Sequence, residues 1–404
     1  MGNDKKPIRH EPNSKIKACV EVLAVSAKLG LTSFGGPIAH LGYFHEEYVR
    51  RRKWIDERSY ADLVALCQFL PGPASSQVGI GIGVIRAGLI GGLIAWLGFT
   101  IPSVIALVIF AFLLQGLDAG SAGWIHGLKI VAVAIVAQAI LGMGQKLTPD
   151  RNRATLAILT AAATLMWQSA FTQILSIAAA GIIGIILYRK TTTAETANVT
   201  VPVSRKFAVI CLAAFFGLLI FLPIIKPFDP SGWLAFFDSF YRSGSLVFGG
   251  GHVVLPLLER ELVPTGWISQ SDFLAGYGAV QAVPGPLFTF AAYLGAMTKG
   301  ITGAVIATLA IFLPAFLLIV GALPFWSSLR KNSKMQGALI GINAAVVGIL
   351  LAAFYNPLWT TSILNPVDFA WASILFLMLV FWKLPPWIVV VAGAAGGTIM
   401  NLLS

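Results

Sequence analysis

A chain of 404 residues with 57% hydrophobic and only 11% charged residues is too apolar for water, since soluble domains carry about 25% charge. Several apolar runs reach the roughly 20 residues that cross a bilayer core, so the composition indicates an all-α polytopic membrane protein and excludes a soluble protein with one anchor. The net charge of +11 does not imply nucleic acid, because no basic stripe with interleaved aromatics lies in a soluble segment; cytoplasmic loops facing anionic lipid are the expected place for it.

In chain order, the N-terminus "MGNDKKPIRHEPNSKIK" is polar and basic and lacks the apolar core of a signal peptide, so it is expected in the cytoplasm. The first apolar segment is interrupted at "TSFGGP", residues 32–37, and followed by a polar stretch ending in "RRRK". The second is interrupted within "LCQFLPGPASSQ", residues 66–77, where each proline removes a backbone donor. Four apolar segments follow, near 87–114, 123–145, 153–167 and 169–188, before the polar linker of residues 189–205. Residues 206–225 form an apolar segment without a counterpart in the first half.

The chain then repeats itself. Phe34, Gly35 and Gly36 match Phe248, Gly249 and Gly250 at a spacing of 214. At 213, Glu46 matches Glu259, Trp54 matches Trp267, Gln68 matches Gln281, the "PGP" of 71–73 matches that of 284–286, and Arg86 matches Lys299. The later segments lie near 300–324, 335–356, 367–382 and 386–403. This divides the chain into a first repeat (1–188), a linker plus unpaired transmembrane helix (189–230) and a second repeat (231–404).

One unpaired span between two similar halves turns the second over, so two homologous inverted-topology repeats with broken or re-entrant helices are expected. The charge bias agrees: the loop answering the basic "RRRKW" is "ELVPTGW", without Lys or Arg. Four re-entrant hairpins with nine full spans are the favoured topology, and thirteen spans the alternative. Both put the N-terminus inside and the C-terminus outside.

Irregular backbone at membrane depth belongs where protein buries it or where it lines a cavity. A helix restarting after Gly-Gly-Pro or Pro-Gly-Pro presents free N–H groups and a positive dipole end, a ready anion site. Four such starts could face one midplane site; a merely architectural proline kink is the alternative. The candidate binding residues of the first half are Gly35, Gly36, Pro37, His40, Gln68, Pro71, Gly72, Pro73, Ser75, Ser76 and Gln77. Those of the second are Gly249, Gly250, His252, Gln281, Pro284, Gly285, Pro286 and Thr289. Lys28 and Arg242 occupy matching positions inside apolar segments and add two candidate cations; snorkelling, or a Lys28–Glu21 pair, is the alternative. No metal site and no cofactor are expected, and Cys19, Cys67 and Cys211 read as packing residues.

The stretches "FGGPIAHLGYFHEEYV", Trp54-Ile55-x-Glu57-x-x-Tyr60 and "ALCQFLPGPASSQ", with "FGGGHVVLPLLERE" and "GAVQAVPGP" in the second half, resemble the chromate ion transporter family in its long two-domain form. The resemblance covers nearly the whole chain. It implies export of chromate, a tetrahedral dianion shaped like sulfate, from the cytoplasm across the bacterial inner membrane, and chromate resistance. The family's motif residues fall on Gly35, Gly36, Pro37, His40, Gln68, Pro71, Gly72, Pro73 and Gln77. In the second half Gly251 replaces the proline and Phe290 stands opposite Gln77, so unequal halves are expected, the first giving more ligands. The partners expected are chromate, with sulfate as competitor or exchange ion, and the lipid bilayer; a homodimer is left open. A general sulfate-type oxyanion carrier is the alternative, and an intramembrane enzyme a more remote one.

Overall fold

The structure, a computed structural model, describes residues 15–116, 123–167, 169–188, 202–248, 250–326 and 332–403. The N-terminal tail before Lys15, most of the linker and the cations Arg330 and Lys331 lie outside the described residues. Those described are helical, with no strand among them. The first repeat comprises α1 (Lys15–Thr32), α2 (Gly36–Phe44) with a π-helical extension (His45–Arg51), α3 (Glu57–Phe69), α4 (Ala74–Gln115), α5 (Gly123–Leu147), α6 (Arg151–Met166) and α7 (Ala170–Leu187). After α8 (Arg205–Ile225) come α9 (Trp233–Ser245), α10 (Val254–Leu262), α11 (Gln270–Val280), α12 (Phe290–Ala322), α13 (Ser333–Ala353), α14 (Pro366–Val380) and α15 (Pro386–Leu403). By length and apolar content α4, α5, α8, α12 and α13 suffice to cross a membrane, and α7, α14 and α15 are shorter apolar helices.

The four breaks are turns at which the chain doubles back. Leu63 of α3 lies against Gly81 of α4; on one continuous helix these residues would stand about 27 Å apart, at 1.5 Å per residue. The second repeat folds the same way: the ring of Tyr293 covers Gly276, and its hydroxyl donates to the Asp272 carbonyl at 2.8 Å. At the glycine breaks, Lys28 reaches Glu47 at 2.9 Å and Arg242 reaches Glu261 at 3.9 Å. Each long helix then reverses again, at Ala87 (φ −138°) and Gly88 (φ 72°) and at Lys299 (φ −136°) and Gly300 (φ 63°), a spacing of 212, so the structure sets Lys299 against Ala87 and not against Arg86 as the sequence register has it. Past those reversals Gly83 packs on Gly91 and Gly295 on Gly303.

The two halves interlock. Gly123 and Gly127 of α5 pack against Gly393 and Gly397 of α15, while Gly337 and Gly341 of α13 pack against Gly184 of α7. Small residues let the backbones approach, which in lipid gives the dispersion and weak hydrogen bonding that hold helices together. The last two helices of each repeat thus lean on the fifth helix of the other, α14 and α15 on α5, and α6 and α7 on α13. The unpaired α8 packs on α9 and α12 and leaves Ile210, Phe216, Ile220 and Phe221 exposed, an apolar flank suited to lipid.

Candidate functional site: a ring of four helix restarts

The four turns meet. The Gly72 N–H donates to the Val247 carbonyl at 2.7 Å, joining the first Pro-Gly-Pro turn to the second glycine break. The Gly285 N–H donates to the Ser33 carbonyl at 2.9 Å, joining the second Pro-Gly-Pro turn to the first glycine break. These two bonds are counterparts, since 33 and 247 differ by 214, and 72 and 285 by 213. Within the first repeat His40 Nδ1 meets the Ser75 hydroxyl at 3.3 Å, and within the second the turn Gly251–Val253 touches Leu287–Thr289. The ring of contacts is closed.

Gly72 and Gly285 hold this geometry with φ of 112° and 99°, a region that costs little only without a Cβ. The carbonyls preceding them are satisfied differently: Gln77 Nε2 donates to Pro71 O at 2.8 Å, and the Ser103 hydroxyl donates to Pro284 O.

Most helix starts in the connecting loops contrast with those in the ring, α9 after Gly232 being an exception. Asp56, Asp150, Ser169, Ser204, Ser269, Asn332 and Asn365 each cap their helix by accepting a backbone N–H. The ring restarts follow Gly35, Pro73, Gly250 and Pro286, none of which has a capping side-chain bond. Their first N–H groups remain available, with the positive dipole ends behind them. Around them lie buried polar atoms without a hydrogen-bond partner among the described residues: Ser33 Oγ, Ser76 Oγ, Gln77 Oε1 and Gln281 Nε2. Leaving such groups unpaired costs about 1–3 kcal/mol each; the Ser33 and Ser76 hydroxyls and Gln281 Nε2 can donate to a guest that accepts hydrogen bonds, whereas Gln77 Oε1 can only accept, its amide being committed to Pro71 O.

The remaining candidates divide. Thr289 donates its hydroxyl to Pro286 O at 2.7 Å, and His252 Nδ1 meets the Tyr277 hydroxyl at 2.8 Å, so both are engaged within the second repeat. Gln68 is exposed. Lys28 does not pair with Glu21: fold-back at the glycine break brings Glu47 to it, and Glu21 binds Arg86 at 3.0 Å. Arg242 is bonded to Asp238, which also holds Lys226 at 2.8 Å. Each cation therefore carries its own carboxylate. Gly249 and the Pro37 side chain lie outside the described residues. Ser33 stands in the quoted glycine motif but carries no pattern that marks it, and Ser103 has no signal in the sequence.

The sequence profile of the family described as "Chromate transporter" matches twice, over residues 20–185 and 234–398. A "Chromate transport protein" of Pseudomonas aeruginosa is 28% identical over 391 residues, covering 93% of this chain and 90% of that protein. A "Probable chromate transport protein" of Synechococcus elongatus is 27% identical, covering 81% of each. The "Uncharacterized transporter YwrB" of Bacillus subtilis is 37% identical over 133 residues, 30% of this chain but 68% of that protein. No solved structure is significantly similar. The chain is a membrane protein and belongs to the chromate transporter family.

Proposed function

We propose that the protein is a secondary transporter that carries chromate out of the cytoplasm by alternating access and so confers chromate resistance. The observation that carries this reading is the closed ring of four uncapped helix restarts, with the unpaired Ser33 and Ser76 hydroxyls beside them. A tetrahedral dianion accepts hydrogen bonds on every side, and backbone N–H groups with dipole ends supply donors without bringing a compensating anion. The relatives named for chromate transport support the choice of this dianion.

Inverted repeats in the bacterial inner membrane complete the reading. One end of the helix bundle joins Glu21 to Arg86 and Asp150 to Tyr188; the other joins Gln115 to Met297 and His126 to Asp368. The hairpins of the first repeat start from the first end and those of the second from the other, and they meet at their tips. The first end also carries the "RRRK" loop, Lys146, Arg151, Arg153, Arg205 and Lys334, which favours a cytoplasmic N-terminus and an external C-terminus. A dianion leaving an inside-negative cell gains about 4.6 kcal/mol per 100 mV, from about 2.3 per charge, so export needs no coupling ion in principle.

Dipole ends distinguish tetrahedral dianions poorly, which keeps a sulfate-type carrier as the second reading. The deciding experiment is chromate flux in proteoliposomes at a set potential, with sulfate titrated as competitor. Potential-driven flux weakly inhibited by sulfate supports the chromate exporter. Equal inhibition makes the protein a broad oxyanion carrier, and absence of flux overturns the reading.

A further inference from the structure

Gln77 is fully buried on the first turn of α4, and its carboxamide folds back over the restart, where Nε2 donates to Pro71 O at 2.8 Å. A carbonyl only accepts, so the NH2 group must face Pro71 and the orientation of the amide is fixed. Oε1, on the same carbon, stands beside that uncapped restart with no donor in bonding reach among the described residues. Its neighbours do not answer it: the Ser76 hydroxyl is itself unpaired, the Ser75 hydroxyl meets His40, and the Gln77 N–H donates to Pro73 O at 3.0 Å. The second repeat has no such acceptor, because Phe290 stands opposite Gln77 and Thr289 bonds its own turn. The ring therefore sets one buried atom that can only accept among groups that donate, and leaving it unpaired is costly.

Such an atom is a poor neighbour for a fully ionised oxyanion, whose own oxygens also only accept. We propose that the guest of the ring is the singly protonated oxyanion, hydrogen chromate, whose O–H donates to Gln77 Oε1 while its other oxygens accept from the restarts and from the Ser33 and Ser76 hydroxyls. This rests on the transport reading and changes the form of the cargo. Chromate takes one proton from the cytoplasmic water, crosses as a monoanion and gives the proton up outside. One proton and one net negative charge leave with each chromate, and an inside-negative potential still favours export. The proton also supplies the discrimination that dipole ends lack. Chromate takes up its first proton near neutral pH and sulfate only in strong acid, and a buried group built to pair with a substrate hydroxyl rejects the analogue without one.

The test is equilibrium dialysis of radiolabelled chromate and, separately, radiolabelled sulfate against purified full-length protein, from mildly acid to mildly alkaline pH. The affinity for total chromate should fall about tenfold per pH unit on the alkaline side, in step with the protonated fraction, while the weaker affinity for sulfate stays within twofold. Sulfate is the control for titration of the protein, because protonation of His40 or His252 at the ring would raise both affinities together. Gln77→Met should weaken chromate binding in acid about tenfold, the worth of one hydrogen bond to a charged group, and leave sulfate within twofold. If that variant does not fold, the two wild-type pH profiles decide. Chromate affinity that is flat with pH, or a parallel rise of both anions in acid, overturns the protonated cargo and leaves chromate as the substrate. Absence of chromate binding at every pH overturns the transport reading and this inference with it.

Discussion

The two Pro-Gly-Pro turns share a backbone and differ in what surrounds it. After the first come Ser75, Ser76 and Gln77, all buried; after the second, at the same register, come Phe288, Thr289 and Phe290. Phe290 stacks on Tyr293 with ring centroids 5.9 Å apart and meets Phe273 edge-on, while Thr289 bonds its own turn. The second turn is an aromatic-packed wall and the first a polar one. Duplication preserved the fold-back and the cross-repeat hydrogen bonds, whereas the side chains facing a guest diverged. Backbone donors thus come from both halves and side-chain donors at the ring mainly from the first.

The largest effect expected from breaking this comparison is at the turn glycines. A Cβ on Gly285 would run into the Ser103 hydroxyl that bonds Pro284 O, whereas one on Gly72 would meet Gln77 Nε2 at 3.3 Å and Ala315 Cβ at 3.5 Å. Gly285→Ala should cost more than about 3 kcal/mol, and Gly72→Ala about 1–2 from its positive φ. Thermal unfolding in detergent reads the difference, and equal losses would contradict the packing described.

The ion pairs sharpen the contrast. Arg242→Ala leaves Asp238, whose side chain is 2% exposed, with Lys226 alone, and about 3 kcal/mol of stability should be lost. Lys28→Ala should cost under about 1 kcal/mol, because Lys28 is half exposed and Glu47 keeps Arg52 at 3.2 Å and Arg51 at 3.7 Å. A larger loss at Lys28 than at Arg242 would reverse the assignment.

The smallest effect concerns a loop-side start. Asp56→Ala removes the cap of α3 and should cost about 1 kcal/mol without changing chromate affinity. Partial burial opposes ionisation of Asp56, but hydrogen bonds from the Ser59 hydroxyl and amide outweigh it and hold the carboxyl below its ordinary value. A depressed carboxyl stabilises the fold above the unfolded pKa and loses that contribution as pH falls through the folded one. The gap between Asp56→Ala and wild type in thermal unfolding should therefore close in acid.

The breaks, their register and the apolar segments were legible in the sequence because glycine, proline and long apolar runs act locally. Other features depend on who meets whom. Helical spacing offers Glu21 as the alternative partner of Lys28, but reversal of the chain at Gly35 brings Glu47 there and leaves Glu21 to Arg86. The reversals at Gly88 and Gly300 fall where the apolar segments near 87–114 and 300–324 begin, and the cations Arg86 and Lys299 mark those boundaries.

The most direct test of the ring as the anion site is equilibrium dialysis of radiolabelled chromate against purified protein. Ser33→Ala combined with Ser76→Ala deletes two buried hydroxyls that have no partner among the described residues, whereas Thr289→Val deletes one already committed to Pro286. The double variant should bind about 100-fold more weakly, from roughly 1.5 kcal/mol per hydrogen bond to a charged group, and Thr289→Val within twofold of wild type. Wild-type affinity in the double variant would place the anion elsewhere.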